Sequence, residues 1–168
     1  MVENFRPLRQ PPSSNSCLPT AVRAVLLWNK VQASPGEVSE WCREEPEGCV
    51  LDLALDGLRE AGFDIEELIA PTEAEAQDLL RAAVTDEEDA QPVIATLLNL
   101  FLSTTQDHAV VVLNIRQGQE TEREVVEYMD PLTGEIERDS SGRFWQYWYF
   151  RTDARFHSPY LNSQRRPR

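Results

Sequence analysis

Apolar residues in the first part of the chain recur at the spacing of helices. Between Leu18 and Lys30 they repeat every three or four residues, and Pro19 suits the first turn of a helix. Ser34, Pro35 and Glu37 then form a typical capped helix start, which predicts a short helix to about residue 43. Both segments are therefore predicted to be helical.

The middle of the chain continues this pattern with two further helices and a short strand. The segment Val50–Ala61 carries an apolar stripe and is followed by Gly62, which favours a helix that ends there. Phe63–Leu68 resembles a short strand. Thr72 is expected to open the next helix, which ends near Val84.

The second half changes from helical to extended patterns. His108–Ile115 is rich in β-branched residues, Glu124–Met129 is expected to return beside it, and Asp130–Gly134 has the composition of a turn. Pro92–Leu100 should start as a strand, and the aromatic segment Arg143–Arg151 should pack the domain together. Helices followed by an antiparallel sheet predict an α+β fold.

The length of 168 residues predicts one domain over residues 1–168. Residues 1–9 are polar and proline-containing, so we expect an extended lead-in, and residues 155–168 should form a flexible tail. The longest apolar stretch, Pro92–Leu102, is about half the length of a bilayer span, and no signal-peptide pattern is present at the N-terminus. These features predict a cytoplasmic protein without a membrane span.

The charge pattern bears on the choice of partner. The net charge is −13, and acidic residues heavily outnumber basic ones between Glu37 and Asp89, whereas the tail from Arg151 onward is basic. Nucleic acid is disfavoured as a partner because phosphate backbones require a clustered basic surface. The acidic run is either a set of solvated helix faces or a surface for a basic partner.

Three cysteines, Cys17, Cys42 and Cys49, leave at least one thiol free. Two of them are separated by six residues, and the chain has only two histidines, so a four-ligand zinc site is not expected. We therefore predict no metal and no cofactor.

Of the three thiols, Cys17 has the best position for a nucleophile. It directly precedes the first helix, where unpaired N–H groups and the helix dipole favour a thiolate. Cys42 falls within a predicted helix, and Cys49 is surrounded by acidic residues that raise a thiol pKa.

The predicted hairpin supplies a base and an acid. If its turn is centred near Gln119, the residue numbers of two paired positions add up to about 238. His108 then faces Asp130 across the strands. The carboxylate would then accept a hydrogen bond from the ring and fix its tautomer. A slip of one residue would place the two on opposite faces. His157, in the basic tail, is the less favoured base.

Several short motifs follow one another along the chain. They are Gln10 with Ser16-Cys17-Leu18-Pro19-Thr20, Gly48–Leu68, Gln91–Ala95, Asp107–Val112, Tyr128–Gly134 and the aromatic pair Phe144-Trp145. Over about residues 8 to 150, these motifs and their order resemble the bacteriocin-processing (double-glycine leader) peptidases, and the resemblance implies a papain-like fold.

The resemblance implies a bacterial thiol protease with a peptide or protein substrate. By position, Cys17 would be the nucleophile, His108 the base, Asp130 its orienting acid and Gln10 an oxyanion-hole donor, with Asn15 as a second choice for that donor. One departure is Leu18, which replaces a glycine and is expected to place a bulky side chain where the substrate backbone approaches.

Three functions remain open from the sequence. The first is a cysteine peptidase or amidase that uses a Cys–His–Asp triad. The second is a catalytically inactive papain-like module that binds a peptide or protein, and the third is a thiol acyltransferase or deamidase. Fold alone does not choose among them.

Overall fold

The fold has helices in the first half and an antiparallel sheet in the second, as predicted. The computed structural model describes residues 2–68, 70–86, 89–98, 107–117, 124–148 and 158–160. Within these ranges the elements follow one another as α1 Cys17–Trp28, α2 Pro35–Trp41, α3 Leu51–Glu60, β1 Glu66–Leu68, α4 Glu73–Thr85, β2 Val93–Leu97, β3 His108–Gln117, β4 Glu124–Asp130, β5 Glu135–Ser140, α5 Ser141–Tyr147 and β6 Ser158–Tyr160. This is an α+β protein.

The predicted helix starts are confirmed by their caps. Before α2, the Ser34 hydroxyl accepts the Glu37 N–H while the Glu37 carboxylate accepts the Ser34 N–H, which completes a capping box. Before α4, the Thr72 hydroxyl accepts the Glu75 N–H. After α3, Gly62 adopts a φ of 92°, which only glycine takes without strain.

Four strands form the main sheet in the order β2-β3-β4-β5, and all neighbours are antiparallel. Strand β5 follows the Asp130–Gly134 turn and was not predicted, because its sequence is charged and its side chains are mostly exposed. Helix α5 was expected only as an aromatic packing segment. It starts because the Ser140 hydroxyl accepts the Arg143 N–H.

The sheet separates two layers of apolar side chains. Alternation along β3 directs Val111 toward the α1 side and Val110 and Val112 toward the α4 and α5 side. The second layer includes Phe144 and Trp148, so the aromatic segment packs in the core as predicted over its described residues. No helix in the described ranges is long and apolar enough to cross a membrane.

The pairing of β3 with β4 differs from the predicted register. Near the start of β3 the pairs are Val111 with Met129 and Val112 with Tyr128, two residues away from the predicted alignment. Beyond an irregularity between Val112 and Asn114, the alignment shifts by one further residue. His108 and Asp130 are therefore diagonal neighbours rather than directly opposite, and the predicted facing pair was wrong.

The lead-in expected over residues 1–9 packs against the sheet. We define the N-terminal strap as residues 2–10. Its Val2 N–H donates to the Leu113 carbonyl at 3.3 Å, and its Leu8 N–H approaches the Met129 sulfur at 3.2 Å. At its end, the Gln10 N–H donates to the Pro131 carbonyl at 2.8 Å. The strap thus ends at the turn that follows β4.

Candidate active site

Helix α1 begins at Cys17, so the thiol lies among the N–H groups that start the helix. Burial raises the pKa of this thiol, but hydrogen bonds from the His108 ring and the N–H groups of Ala109 and Leu18, together with the charge of His108, outweigh burial. The pKa of Cys17 consequently lies below its ordinary value. A lowered pKa favours the nucleophilic thiolate.

The ring of His108 lies between the thiol and a carboxylate. Its Nε2 is 2.7 Å from Asp130 Oδ1, which leaves Nδ1 as the nitrogen for the hydrogen bond with Cys17. Burial lowers the pKa of His108, but the hydrogen bonds and charges of Asp130 and Cys17 overcome burial and raise it to about 9. The arrangement favours an imidazolium beside a thiolate.

Asp130 is held in place by its own turn. Its Oδ1 accepts the Leu132 N–H at 2.8 Å in addition to the His108 contact, and its carbonyl accepts the Gly134 N–H at 2.8 Å. Burial raises the pKa of this carboxyl, while the hydrogen bond and charge of His108 and the Leu132 N–H bring it below its ordinary value. The Asp130 carboxylate is thus held between the Leu132 N–H and the His108 ring.

These contacts bring Cys17, His108 and Asp130 next to one another. The register error did not separate them because it amounted to two residues, and side chains two positions apart share one face of a strand. His157, the other histidine, lies outside the described residues.

Gln10 is buried beside the turn that follows Asp130. Its Nε2 donates to the Ser14 carbonyl at 2.7 Å and its backbone N–H to the Pro131 carbonyl, so both sides of the residue are anchored. Its Oε1 is buried and has no hydrogen-bond partner among the described residues. Since an amide nitrogen carries two hydrogens, one donor of Gln10 remains available. Both acceptors are main-chain carbonyls, so these two hydrogen bonds could not be predicted from the sequence.

Asn15, the second candidate for an oxyanion donor, points elsewhere. Its Nδ2 donates to the Pro46 carbonyl at 3.0 Å, which ties the chain before Cys17 to the loop before α3. In that loop, Glu45 and Gly48 exchange backbone hydrogen bonds. Asn15 is therefore better suited to hold this loop than to bind an oxyanion.

Leu18 does not occupy the position expected for it. Only 7% of the residue is exposed, and its side chain belongs to the apolar layer on the α1 side of the sheet. The expected bulky group in the path of the substrate is absent because the helix turns this side chain into the core.

The other two cysteines have unreactive surroundings. Burial, together with Cys49 and Glu44, raises the pKa of Cys42 well above its ordinary range. Burial, Glu44 and Cys17 raise the pKa of Cys49 to about 12. Cys17 is therefore the one cysteine of the three whose environment favours a thiolate.

A cavity of about 370 Å³ lies beside the first turns of α1. Its wall includes Ser16, which precedes Cys17, and it extends between the N-terminal strap and α2. Among the described residues, no group of three or more His, Cys, Asp or Glu side chains is placed to hold a metal ion.

Comparisons with known proteins show similarity in structure rather than in sequence. No protein-family model and no curated protein sequence matches this chain. The solved peptidase domain of Streptococcus ComA, a bifunctional ABC transporter of a quorum-sensing pathway, superposes with a TM-score of 0.67 at 16% identity, covering 95% of this chain and 99% of that domain.

A second solved structure is a double-glycine-motif protease from an AMS/PCAT transporter in complex with its leader peptide. It superposes with a TM-score of 0.59 at 16% identity, covering 88% of this chain and 90% of the protease. Both similarities confirm the papain-like peptidase fold that the sequence motifs indicated.

Proposed function

We propose that this chain is a cysteine peptidase or amidase in which Cys17 is the nucleophile, His108 the general acid–base and Asp130 its orienting carboxylate. The observation that carries the proposal is the hydrogen-bonded series from the Cys17 thiol through the His108 ring to Asp130. A thiolate beside an imidazolium is the state from which acyl transfer by cysteine starts.

In the first half of the reaction, the Cys17 thiolate attacks the carbonyl carbon of the scissile bond. The carbonyl electrons move to oxygen, where the Cys17 N–H and the free donor of Gln10 stabilise the charge. The intermediate collapses to a thioester as the C–N bond breaks, and His108 gives its proton to the leaving amine.

In the second half, neutral His108 accepts a proton from water, which attacks the thioester carbonyl. The C–S bond breaks, the acid product leaves, and the thiolate and imidazolium are restored. Asp130 remains ionised throughout, because its role is to hold the ring and stabilise the imidazolium.

The substrate we propose is a peptide. One structural relative is a protease in complex with a leader peptide, so the first peptides to test should contain a double glycine and, for comparison, the same sequence with two alanines. The proposed basic partner of the acidic surface remains a prediction.

An inactive binding module is less well supported by this site. Such a module needs neither a thiol of lowered pKa nor a ring held by a carboxylate, and Leu18 is buried in the core rather than in the path of a substrate. An acyltransferase or deamidase would use the same three residues and is separated from a peptidase by its products.

The first test is the rate of Cys17 alkylation by iodoacetamide from pH 4 to 10. In the wild type, we expect the rate to reach its plateau at a lower pH than in His108→Ala, because the thiolate is stabilised by His108. In His108→Ala, the rate should instead rise near the pKa of an unperturbed thiol, about 8.5. Mass spectrometry of the alkylated peptide identifies Cys17.

Cys49→Ser is the matched control, since this cysteine is also half-buried but has a raised pKa. Its alkylation profile should equal that of the wild type. A wild-type rate that rises only near pH 8.5 and is indifferent to His108 would refute the peptidase proposal and favour the binding module.

A further inference from the structure

At Gly134 the turn after β4 lies directly against Arg9 of the N-terminal strap. A Cβ atom added to Gly134 would lie 2.6 Å from the Cβ of Arg9 and 3.2 Å from its Cα and Cγ. Real Cβ atoms do not approach a neighbour at 2.6 Å, so either the turn or the strap would have to move. Only glycine permits this contact.

The same contact lies next to the two residues on which the proposed site depends. The Gly134 N–H donates to the Asp130 carbonyl, and one residue from Arg9 the Gln10 N–H donates to the Pro131 carbonyl at 2.8 Å. Gln10 is anchored on its other side by the Ser14 carbonyl. A shift of Arg9 would therefore be passed directly to Gln10.

We infer that Gly134 is a positioning residue: by lacking a side chain it lets the strap lie against the turn, and this places the Gln10 amide for the oxyanion. The inference rests on the proposed function, in which Gln10 donates to the oxyanion. It adds a residue that acts only through Arg9 and Gln10 and touches neither substrate nor thiol.

Two reagents separate this role from the reactivity of the thiol. With 4-nitrophenyl acetate, the Cys17 thiolate attacks the ester carbonyl, an oxyanion forms, and the C–O bond breaks to release nitrophenolate and leave a thioester. With iodoacetamide, a C–S bond forms as iodide leaves, and no oxyanion is made. The first reaction depends on the Gln10 donor and the second does not.

For Gly134→Ala, we expect the rate of the nitrophenolate burst to fall roughly 10- to 100-fold, because small displacements of a catalytic group have effects of this size. The alkylation rate should stay within about twofold of the wild type, because the His108–Asp130 pair is not part of the contact. The signal of Cys17→Ala is subtracted to remove the contribution of the other thiols.

Gly62→Ala is the matched control. Gly62 also has a positive φ, 92° against 73° for Gly134, but a Cβ there would have no neighbour within 4 Å. It carries the same kind of backbone strain without the collision, so its burst rate should equal that of the wild type.

A rescue variant and a structural readout complete the test. Arg9→Gly combined with Gly134→Ala removes the Arg9 Cβ at 2.6 Å and the Cγ at 3.2 Å, so it should restore the burst, and also the fold if Gly134→Ala alone does not fold. Hydrogen exchange of the Gln10 N–H should accelerate in Gly134→Ala and not in Gly62→Ala.

The outcomes distinguish the two proposals. Unchanged Gln10 exchange, a burst and alkylation rate that fall together, or a folded double variant without recovery would overturn the positioning role. A wild type that exchanges as expected but shows neither a burst nor alkylation at neutral pH would refute the proposed function and leave the positioning of Gln10 by Gly134 in place.

Discussion

At the scale of single residues, the chemistry of the site comes from neighbours rather than from the helix alone. A helix start stabilises an adjacent anion by about 0.3–1 kcal/mol, which does little against the cost of burying a thiolate. The hydrogen bond and charge of His108, together with the Ala109 N–H, stabilise the thiolate further, and Asp130 raises the pKa of the His108 ring through its own hydrogen bond and charge.

Asp130→Ala should lower the pKa of His108. The carboxylate raises that pKa through a hydrogen bond and its charge, so its removal should move the titration midpoint of the ring about 1 to 3 pH units below the wild-type value. The measurement is an NMR titration of the His108 ring in the wild type and in the variant. A midpoint that stays near pH 9 in the variant would contradict the role given to Asp130.

The raised pKa of His108 also makes the free energy of unfolding depend on pH. A group whose pKa is raised on folding binds its proton more tightly in the folded state. The contribution of His108 is therefore fully present below about pH 6.5, the pKa of an unfolded histidine, and is lost as the pH rises through about 9. Asp130→Ala should lose most of this dependence.

At the scale of elements, the sequence predicted best where local chemistry decides the structure. The starts of α2 and α4 follow from Ser34 and Thr72 at their N-caps, and α1 has Pro19 in its first turn. The shift between Val112 and Asn114 could not be predicted, since it depends on how two strands pack against layers on both faces. Strand β5 was missed because an exposed edge strand has no apolar alternation.

The candidate site was predictable to a similar degree. Cys17, His108 and Asp130 were identified by their places on predicted elements, and the structure brings them together. The orientation of Leu18 could not be predicted, because its place in the core follows from how α1 packs on β3. The hydrogen bonds that anchor Gln10 could not be predicted either, because their acceptors are main-chain carbonyls, which every residue has.

Ser34→Ala should weaken α2 without affecting the site. It removes the acceptor of the Glu37 N–H, and loss of an N-cap lowers the free energy of unfolding by about 1 kcal/mol. Urea unfolding measures this change. Glu40→Gln, at an exposed position of the same helix, should have almost no effect, and a loss in this control equal to that of Ser34→Ala would argue against the cap.

At the scale of the whole molecule, two apolar layers share one sheet, so damage to either layer should destabilise the entire fold. The α1 layer supports Cys17, and the layer on the other face is closed by α4 and α5. Both layers use residues of β3, which makes this strand the common support of the core.

Leu80→Ala and Leu79→Ala form a matched pair that tests this dependence. Leu80 is fully buried on α4, so its truncation should lower the free energy of unfolding by about 2–5 kcal/mol. Leu79 is 40% exposed and should cost about 0.5 kcal/mol. Urea unfolding followed by fluorescence and by Cys17 alkylation should give one transition, and two separate transitions would show that the layers unfold independently.

The pairing of β3 with β4 determines which mutations this hairpin tolerates. Side chains along a strand alternate between two faces, so losing one codon anywhere between Ala109 and Val112 would exchange the faces for every residue before the loss. His108 would leave the face of Asp130, and no single substitution would bring it back. This segment should therefore tolerate an exchange between apolar residues of similar size better than a change in its length.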